Sequence, residues 1–250
     1  MFDIANPERL AFSRALDDLE DKLIGCGCDG CSNSYACNQY DEVLFGHYGA
    51  KVPKTAITMI GKVRLHQLRQ AVETVLRENI PGDLIETGVW RGGACVMMRA
   101  VLSAHKIIDR KVYVADSFCG LPIPNSQYPA DCNSPLHTYS GLSISLEDVK
   151  RNFNLPDSQV EFVQGWFKDT LPKLNTTFAV ARLDGDMYES TWDALTSLYD
   201  KVVPGGFIIV DDWGGVDACR YAVLDFVTSR KLRPAFAEVN WATIYWRKEV

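Results

Sequence analysis

No apolar run in the 250-residue sequence approaches the ~18 residues that a membrane-crossing helix needs, so no transmembrane segment is expected. The N-terminus, MFDIANPERLAF, carries charge within its first ten residues and lacks the apolar core of a signal peptide. Both absences point to a cytoplasmic chain. A basic excess is missing too: 26 lysines and arginines stand against 32 acidic residues, a net charge of −6. Proteins that bind nucleic acid by neutralising phosphates show the opposite balance, so neither nucleic acid nor a membrane is an expected partner. No internal repeat of 20–50 residues is visible, which excludes a solenoid or propeller. The composition, 47% hydrophobic and 23% charged, excludes disorder, collagen and coiled coil.

What the sequence has in excess is cysteine, eight in all. Cys26, Cys28, Cys31 and Cys37 fall within twelve residues, spaced C-x-C-x₂-C-x₅-C; Cys95, Cys119, Cys132 and Cys219 are scattered. Without a signal peptide a disulfide framework is a poor starting point. The cluster reads as a structural metal site (four thiols can close a tetrahedral zinc centre), an iron–sulfur cluster, one or two disulfides, or free thiols. Cys95 and Cys219 lie in helical stretches among apolar neighbours and read as small core residues.

Asn6-Pro7 opens a helical pattern that runs to Ile24, with Leu10, Phe12, Leu16, Leu19 and Leu23 on one face. A second spans about Lys62–Asn79. From there strands and helices alternate. DLIETG, KVYVADS, QVEFVQG, FAVARLD and GFIIVDD read as strands, and the stretches near 94–105, 190–199 and 217–229 as helices. Ser145 caps a further short helix running into Phe153. This alternation implies βαβ units and a parallel sheet. Two final runs, PAFAEV and ATIYWRK, are separated by only two residues and are expected to pair antiparallel, giving seven strands. Between Ser117 and Ser145 lies a loop of about 25 residues, long enough to be functional. The expected organisation is an N-terminal helical and cysteine-rich extension, residues 1–61, ahead of an α/β domain, residues 62–250.

The first strand ends in Glu86-Thr87-Gly88-Val89-Trp90-Arg91-Gly92-Gly93. A glycine turn that opens a helix is how doubly wound sheets hold nucleotide-like ligands. The turn is not Gly-x-Gly-x-x-Gly, and no Gly-Lys-Ser/Thr follows it, so a P-loop is excluded. Its acidic residue suits an amine-bearing or cationic ligand. The second strand delivers Asp116-Ser117, where an acidic side chain commonly grips ribose hydroxyls, or merely caps its own loop. The fourth strand ends in Asp184-Gly185-Asp186 and the fifth in Asp211-Asp212. Four carboxylates at one sheet edge repel each other unless a cation neutralises them, and oxygen donors at that density suit Mg²⁺.

These residues resemble the macrocin O-methyltransferase family, enzymes that use S-adenosylmethionine and Mg²⁺ to methylate sugar hydroxyls of antibiotics and related glycosides. The resemblance runs from about Tyr40 to Arg247 through Thr58-Met59-Ile60-Gly61, GDLIETGVWRGGACVMMRAVL, VYVADSFCGLP, GWFKDTLP, RLDGDMYESTWDAL and PGGFIIVDDW. It implies the class I, Rossmann-like methyltransferase fold. It implies that Glu86 and Gly88 border the methionine part of the cofactor, with Thr58 and Met59 near it. Asp116 and Ser117 would hold the ribose, and Gly165, Trp166 and Phe167 would sit beside the adenine. Asp184, Asp211 and Asp212 would bind the metal, and Asp186 would be the general base. The implied partner is a small glycoside or glycan acceptor. Trp213 stands on the expected metal rim where relatives are expected to carry tyrosine, and the Cys26–Cys37 segment matches nothing in the family.

His137, in the long loop, is a candidate acceptor contact or alternative base. His47 is a candidate lid residue, and His66 and His105 read as structural. Trp90 and Arg91 either pack the turn or help form the cofactor site. The amphipathic N-terminal helix is the one motive in the sequence for a homo-oligomer, a dimer or larger. A catechol or phenol methyltransferase and an inactive cofactor-binding module remain the alternative functions.

Overall fold

A computed structural model describes residues 7–25, 40–41, 52–53 and 55–249. Helix α1 (Pro7–Leu23) leads into two short paired strands, β1 (Tyr40–Asp41) and β2 (Val52–Pro53), and then α2 (Gly61–Arg77). The alternating region follows as β3 (Asp83–Thr87), α3 (Gly93–Ala104), β4 (Val112–Asp116), α4 (Leu146–Lys150), β5 (Val160–Gln164), α5 (Phe167–Thr170), β6 (Phe178–Leu183), α6 (Tyr188–Leu198), β7 (Val202–Val210) and α7 (Asp217–Ser229). The chain closes with β8 (Ala237–Glu238) and β9 (Ile244–Arg247).

The main sheet has seven strands in the order β5-β4-β3-β6-β7-β9-β8. Strands β3 to β7 run parallel; β9 pairs antiparallel with β7, and β8 antiparallel with β9. The class I methyltransferase architecture expected of the sequence is therefore the one observed. The strand at PAFAEV shortens to two residues, and β7 starts earlier than expected, at Val202. Ser145 caps α4 by accepting from the Asp148 N–H.

Alternation along the strands builds two cores, because successive side chains point to opposite faces. Leu84, Phe207 and Ile209 face one core, packed by α1, α2 and α3. Ile85, Ile208 and Val210 face the other, packed by α6 and α7. Leu84, Ile85, Ile208, Ile209 and Val210, all at most 1% exposed, each contribute roughly 1.5–3 kcal/mol.

Helix α1 spends its apolar face inside the chain. Leu16, Leu23 and Ile24 join the first core, and the Ile57 and Thr58 N–H groups donate to Leu23 O. Arg69 of α2 pairs with Asp17 and Glu20 of α1 and with Glu73, at 2.6, 3.3 and 3.0 Å. His66 faces Glu20 at 3.1 Å, and the His105 backbone caps α3. Of the face that motivated an oligomer, Leu16 and Leu23 are buried in the first core and Leu19 packs against it, while Phe12 is 40% exposed. Among the described residues no helix is long and apolar enough to cross a membrane.

The long loop is shaped by three single turns of 3₁₀ helix, at Pro129–Asp131, Leu136–Thr138 and Ser140–Leu142. Asp131 is fully buried and accepts from the Tyr188 and Glu189 N–H groups at 2.7 and 2.9 Å. It caps α6 from a distant part of the chain and so ties the loop to the helix that follows Asp186.

The cysteine cluster Cys26, Cys28, Cys31 and Cys37, and His47, lie outside the described residues. Of the described cysteines, Cys95 and Cys219 are buried, Cys119 and Cys132 are exposed, and none is in a disulfide.

Candidate active site

The carboxyl ends of β3 to β7 open onto one cleft. All thirteen residues picked out by the sequence line it: Thr58, Met59, Glu86, Gly88, Asp116, Ser117, Gly165, Trp166, Phe167, Asp184, Asp186, Asp211 and Asp212. This is where a parallel sheet with a reversal in strand order holds ligands; here the reversal lies between β3 and β6.

The turn after β3 is locked by contacts that exclude a side chain. Gly88 has φ +82, and a Cβ built there would lie 1.6 Å from Asp184 O. Only glycine lets the two strand ends approach so closely. The Val89 N–H donates to Asp116 Oδ2 and the Phe118 N–H to Oδ1, both at 2.8 Å. Asp116 therefore does cap its loop, and each oxygen keeps a second lone pair for a ligand hydroxyl. The Ser117 hydroxyl donates to Gly120 O at 2.6 Å. Trp90 lines the cleft and donates from its indole to Gly141 O at 3.0 Å, while Arg91 stacks 4.2 Å over the Trp90 ring.

One arginine organises the acidic floor. Arg182, 1% exposed near the carboxyl end of β6, donates from Nη1 to Glu86 Oε1 at 2.5 Å and to Asp184 Oδ2 at 2.7 Å. Its Nη2 lies 2.8 Å from Asp211 Oδ1. Arg64, on the first turns of α2, reaches Asp211 Oδ2 at 2.6 Å, and the Thr243 hydroxyl lies 2.9 Å from Asp211 Oδ1. The Cys95 thiol donates to Glu86 Oε2 at 3.0 Å, so this cysteine holds a cleft residue as well as filling the core.

Asp184, Asp186 and Asp212 each bring an oxygen within 4.8 Å of the others, close enough to share one metal ion. Asp211, the third residue of the expected ligand set with Asp184 and Asp212, lines the same cleft, with Oδ1 beside Arg182 and Thr243 and Oδ2 on Arg64. Asp186 sits in the left-handed region, φ +56, and its N–H donates to Asp212 Oδ2 at 3.0 Å. That conformation is uncommon for a non-glycine residue and marks strain held by its surroundings.

The electrostatics divide the carboxylates. Burial alone would raise Asp211, but Arg182 and Arg64, with the Thr243 hydroxyl, outweigh it and hold it below the usual range. Asp186 is pushed up to about 7 by burial, then by Asp184 and Asp211, with Arg64 opposing. Asp212 is raised well above its ordinary value by burial and by Asp186, Asp184 and Asp211. Glu86 is raised to about 7 by burial, against Arg182 and Cys95. Five carboxylates (Glu86, Asp184, Asp186, Asp211, Asp212) face two guanidiniums, leaving three negative charges uncompensated. Crowded buried charges of one sign are relieved either by protons or by a cation. The oxygen-only donor set fits a hard divalent ion such as Mg²⁺.

Two expected contributors fall elsewhere. Trp213 packs on Phe236, ring centroids 5.4 Å apart, and against the second core rather than on the carboxylates. His137 is exposed, holds Ser134 O at 3.2 Å and does not line the cleft. Sequence reasoning missed the roles of Arg182, Arg64, Thr243 and Cys95. Only Arg182 left a signal, a charged residue inside the otherwise apolar strand FAVARLD.

The model of the macrocin O-methyltransferase family (TylF) matches residues 33–248. The chain is 48% identical over 206 residues to demethyldecarbamoylnovobiocin O-methyltransferase of Streptomyces niveus, covering 80% of this chain and 79% of that one. It is 48% identical over 205 residues, 80% and 78% of the two chains, to the 8-demethyl-8-(2,3-dimethoxy-alpha-L-rhamnosyl)-tetracenomycin-C 4'-O-methyltransferase of Streptomyces olivaceus. The solved structure of the O-methyltransferase NovP superposes with a TM-score of 0.86 at 43% identity, covering 96% of this chain and all of that one.

Proposed function

The chain belongs to the macrocin O-methyltransferase (TylF) family and is a methyltransferase, and from that premise we propose that it moves a methyl group from S-adenosylmethionine to a sugar hydroxyl of a glycosylated small molecule, with a divalent cation in the acidic floor of the cleft. The observation that carries the reading is the convergence of Asp184, Asp186 and Asp212 beside Glu86 and Gly88. The relatives' names favour a sugar over a catechol, since one of them specifies the 4' hydroxyl of a rhamnosyl group.

The cleft suits the cofactor chemically. S-adenosylmethionine supplies an electrophilic methyl group on a cationic sulfonium. Glu86, anchored by Arg182 and Cys95, lends negative charge where the methionine part would lie, bordered by Thr58, Met59 and Gly88. Asp116 and Ser117, which line the cleft, would hold the ribose, and Gly165, Trp166 and Phe167 would sit beside the adenine.

Asp184 and Asp212 would hold the cation, which would supply positive charge that makes a nearby hydroxyl easier to deprotonate. Asp186 takes the acceptor's proton at its carboxylate as the oxygen attacks. Burial, with Asp184 and Asp211 beside it, raises the Asp186 carboxyl above the usual aspartate range and so makes it a stronger base. Asp211 keeps Arg64 and Arg182 in place and so fixes the floor. The rigid turn at Gly88 and the strained backbone of Asp186 hold the reacting groups in line, the geometry on which methyl transfer most depends.

The test is transfer of labelled methyl from S-adenosylmethionine to a panel of deoxysugar glycosides and catechols. Labelled glycosides are expected. Labelling of catechols alone would overturn the sugar assignment.

A further inference from the structure

Trp241 is 73% exposed, although it sits in a tightly braced turn at the cleft. Its neighbours Ala242 and Thr243 are 5% and 1% exposed. Asn240 Oδ1 accepts from the N–H groups of both, at 3.0 Å each. The Gly214 N–H donates to Ala242 O at 3.0 Å, and a Cβ at Gly214 would lie 1.8 Å from Trp241 O. Thr243 in turn holds Asp211. The backbone of Trp241 is therefore pinned to the loop that carries Asp211 and Asp212, while its ring is left to solvent. Exposed aromatics usually relax onto an apolar neighbour to shed water. This ring instead stands beside Gly215, with two ring atoms 3.8 Å from where a Cβ would be, on the wall of the cleft.

We propose that Trp241 is an acceptor-binding residue, whose indole face stacks on the C–H face of the acceptor's sugar ring while Asp186 meets the ring's hydroxyl. This rests on the glycoside acceptor proposed above. The occupant follows from the wall's position: Trp241, Gly215 and Val216 continue the cleft outward from Asp212, on the side of the carboxylates away from Thr58, Met59 and the glycine turn by their place in the sheet order. A sugar ring has a polar rim and an apolar face. The polar rim suits the carboxylates, and the apolar face suits a flat, preorganised indole, which loses little entropy on stacking.

The experiment is steady-state kinetics with S-adenosylmethionine and demethyldecarbamoylnovobiocin, on wild type, Trp241→Ala and Trp241→Tyr, with melting temperatures for each. Trp241→Ala is expected to raise the acceptor KM about tenfold, with kcat, cofactor KM and melting temperature little changed. Trp241→Tyr is expected to restore most of the loss. An unchanged acceptor KM in Trp241→Ala overturns the proposal. So does a matching rise in cofactor KM or a fall in melting temperature, either of which makes Trp241 a structural residue or the seat of another part of the chain. A wild type that methylates no glycoside of the panel removes the glycoside reading itself, and this proposal with it.

Discussion

Arg182 Nη1 lies 2.5 Å from Glu86 Oε1, and both side chains are sealed from solvent. The same guanidinium holds Asp184 and touches Asp211, so one buried cation gathers the ends of β3, β6 and β7. Removing one partner of a buried ion pair leaves the other's charge uncompensated, at about 3–5 kcal/mol. Arg182→Met is therefore expected to lower unfolding free energy by that order in urea titrations. Arg182→Lys should not rescue it, because a single ammonium cannot bridge three carboxylates. A lysine variant as stable as wild type would show that the bridging geometry is dispensable.

Asp186→Asn keeps the shape of the side chain and loses the base. It is expected to bind S-adenosylhomocysteine with wild-type affinity by calorimetry while kcat falls about 100-fold or more. Turnover at the wild-type rate would remove Asp186 from the proton-transfer role.

Gly88→Ala puts a methyl group where Asp184 O already lies, at a backbone angle that disfavours alanine. We expect a loss of at least about 2 kcal/mol, read as a lower urea midpoint together with weaker binding of S-adenosylhomocysteine. A variant with an unaltered midpoint would mean that the turn and β6 can separate freely.

The architecture and the membership of the cleft were legible in the sequence; the wiring of its floor was not. Strand ends such as LIETG, VADS and RLDGD announce themselves because apolar runs stop at acidic or glycine residues, and a parallel sheet brings such ends to one edge. The division of labour among the aspartates depends on which of them meet Arg64, from a helix 147 residues before Asp211, and Thr243, from the turn just before the closing strand. No local pattern encodes those contacts. Trp213 shows the converse: adjacency to Asp212 in the chain put it on the expected rim, but its ring turns toward Phe236.

The raised carboxyls make stability depend on pH. The folded-state values of Asp186 and Glu86, about 7, lie above those of an unfolded chain, as does that of Asp212. The contribution of Asp186 and Glu86 is complete below about pH 4 and is lost as pH rises through 7, while that of Asp212 is lost at higher pH. Without divalent ions the melting temperature is expected to fall by a few degrees between pH 6 and pH 8. MgCl₂ should recover more of it at pH 8 than at pH 6, since the ion competes with protons for the same oxygens. A Mg²⁺ effect independent of pH, or none, would contradict the assignment of the acidic floor.

The most direct test of the cation-assisted methyl transfer is turnover of a deoxysugar glycoside with S-adenosylmethionine, measured before EDTA, after EDTA and after excess MgCl₂ is restored, in wild type and Asp212→Asn. Wild-type turnover is predicted to collapse with EDTA and return with Mg²⁺, while Asp212→Asn stays slow throughout. Turnover that EDTA leaves untouched, or an Asp212→Asn variant as fast as wild type, would contradict the account.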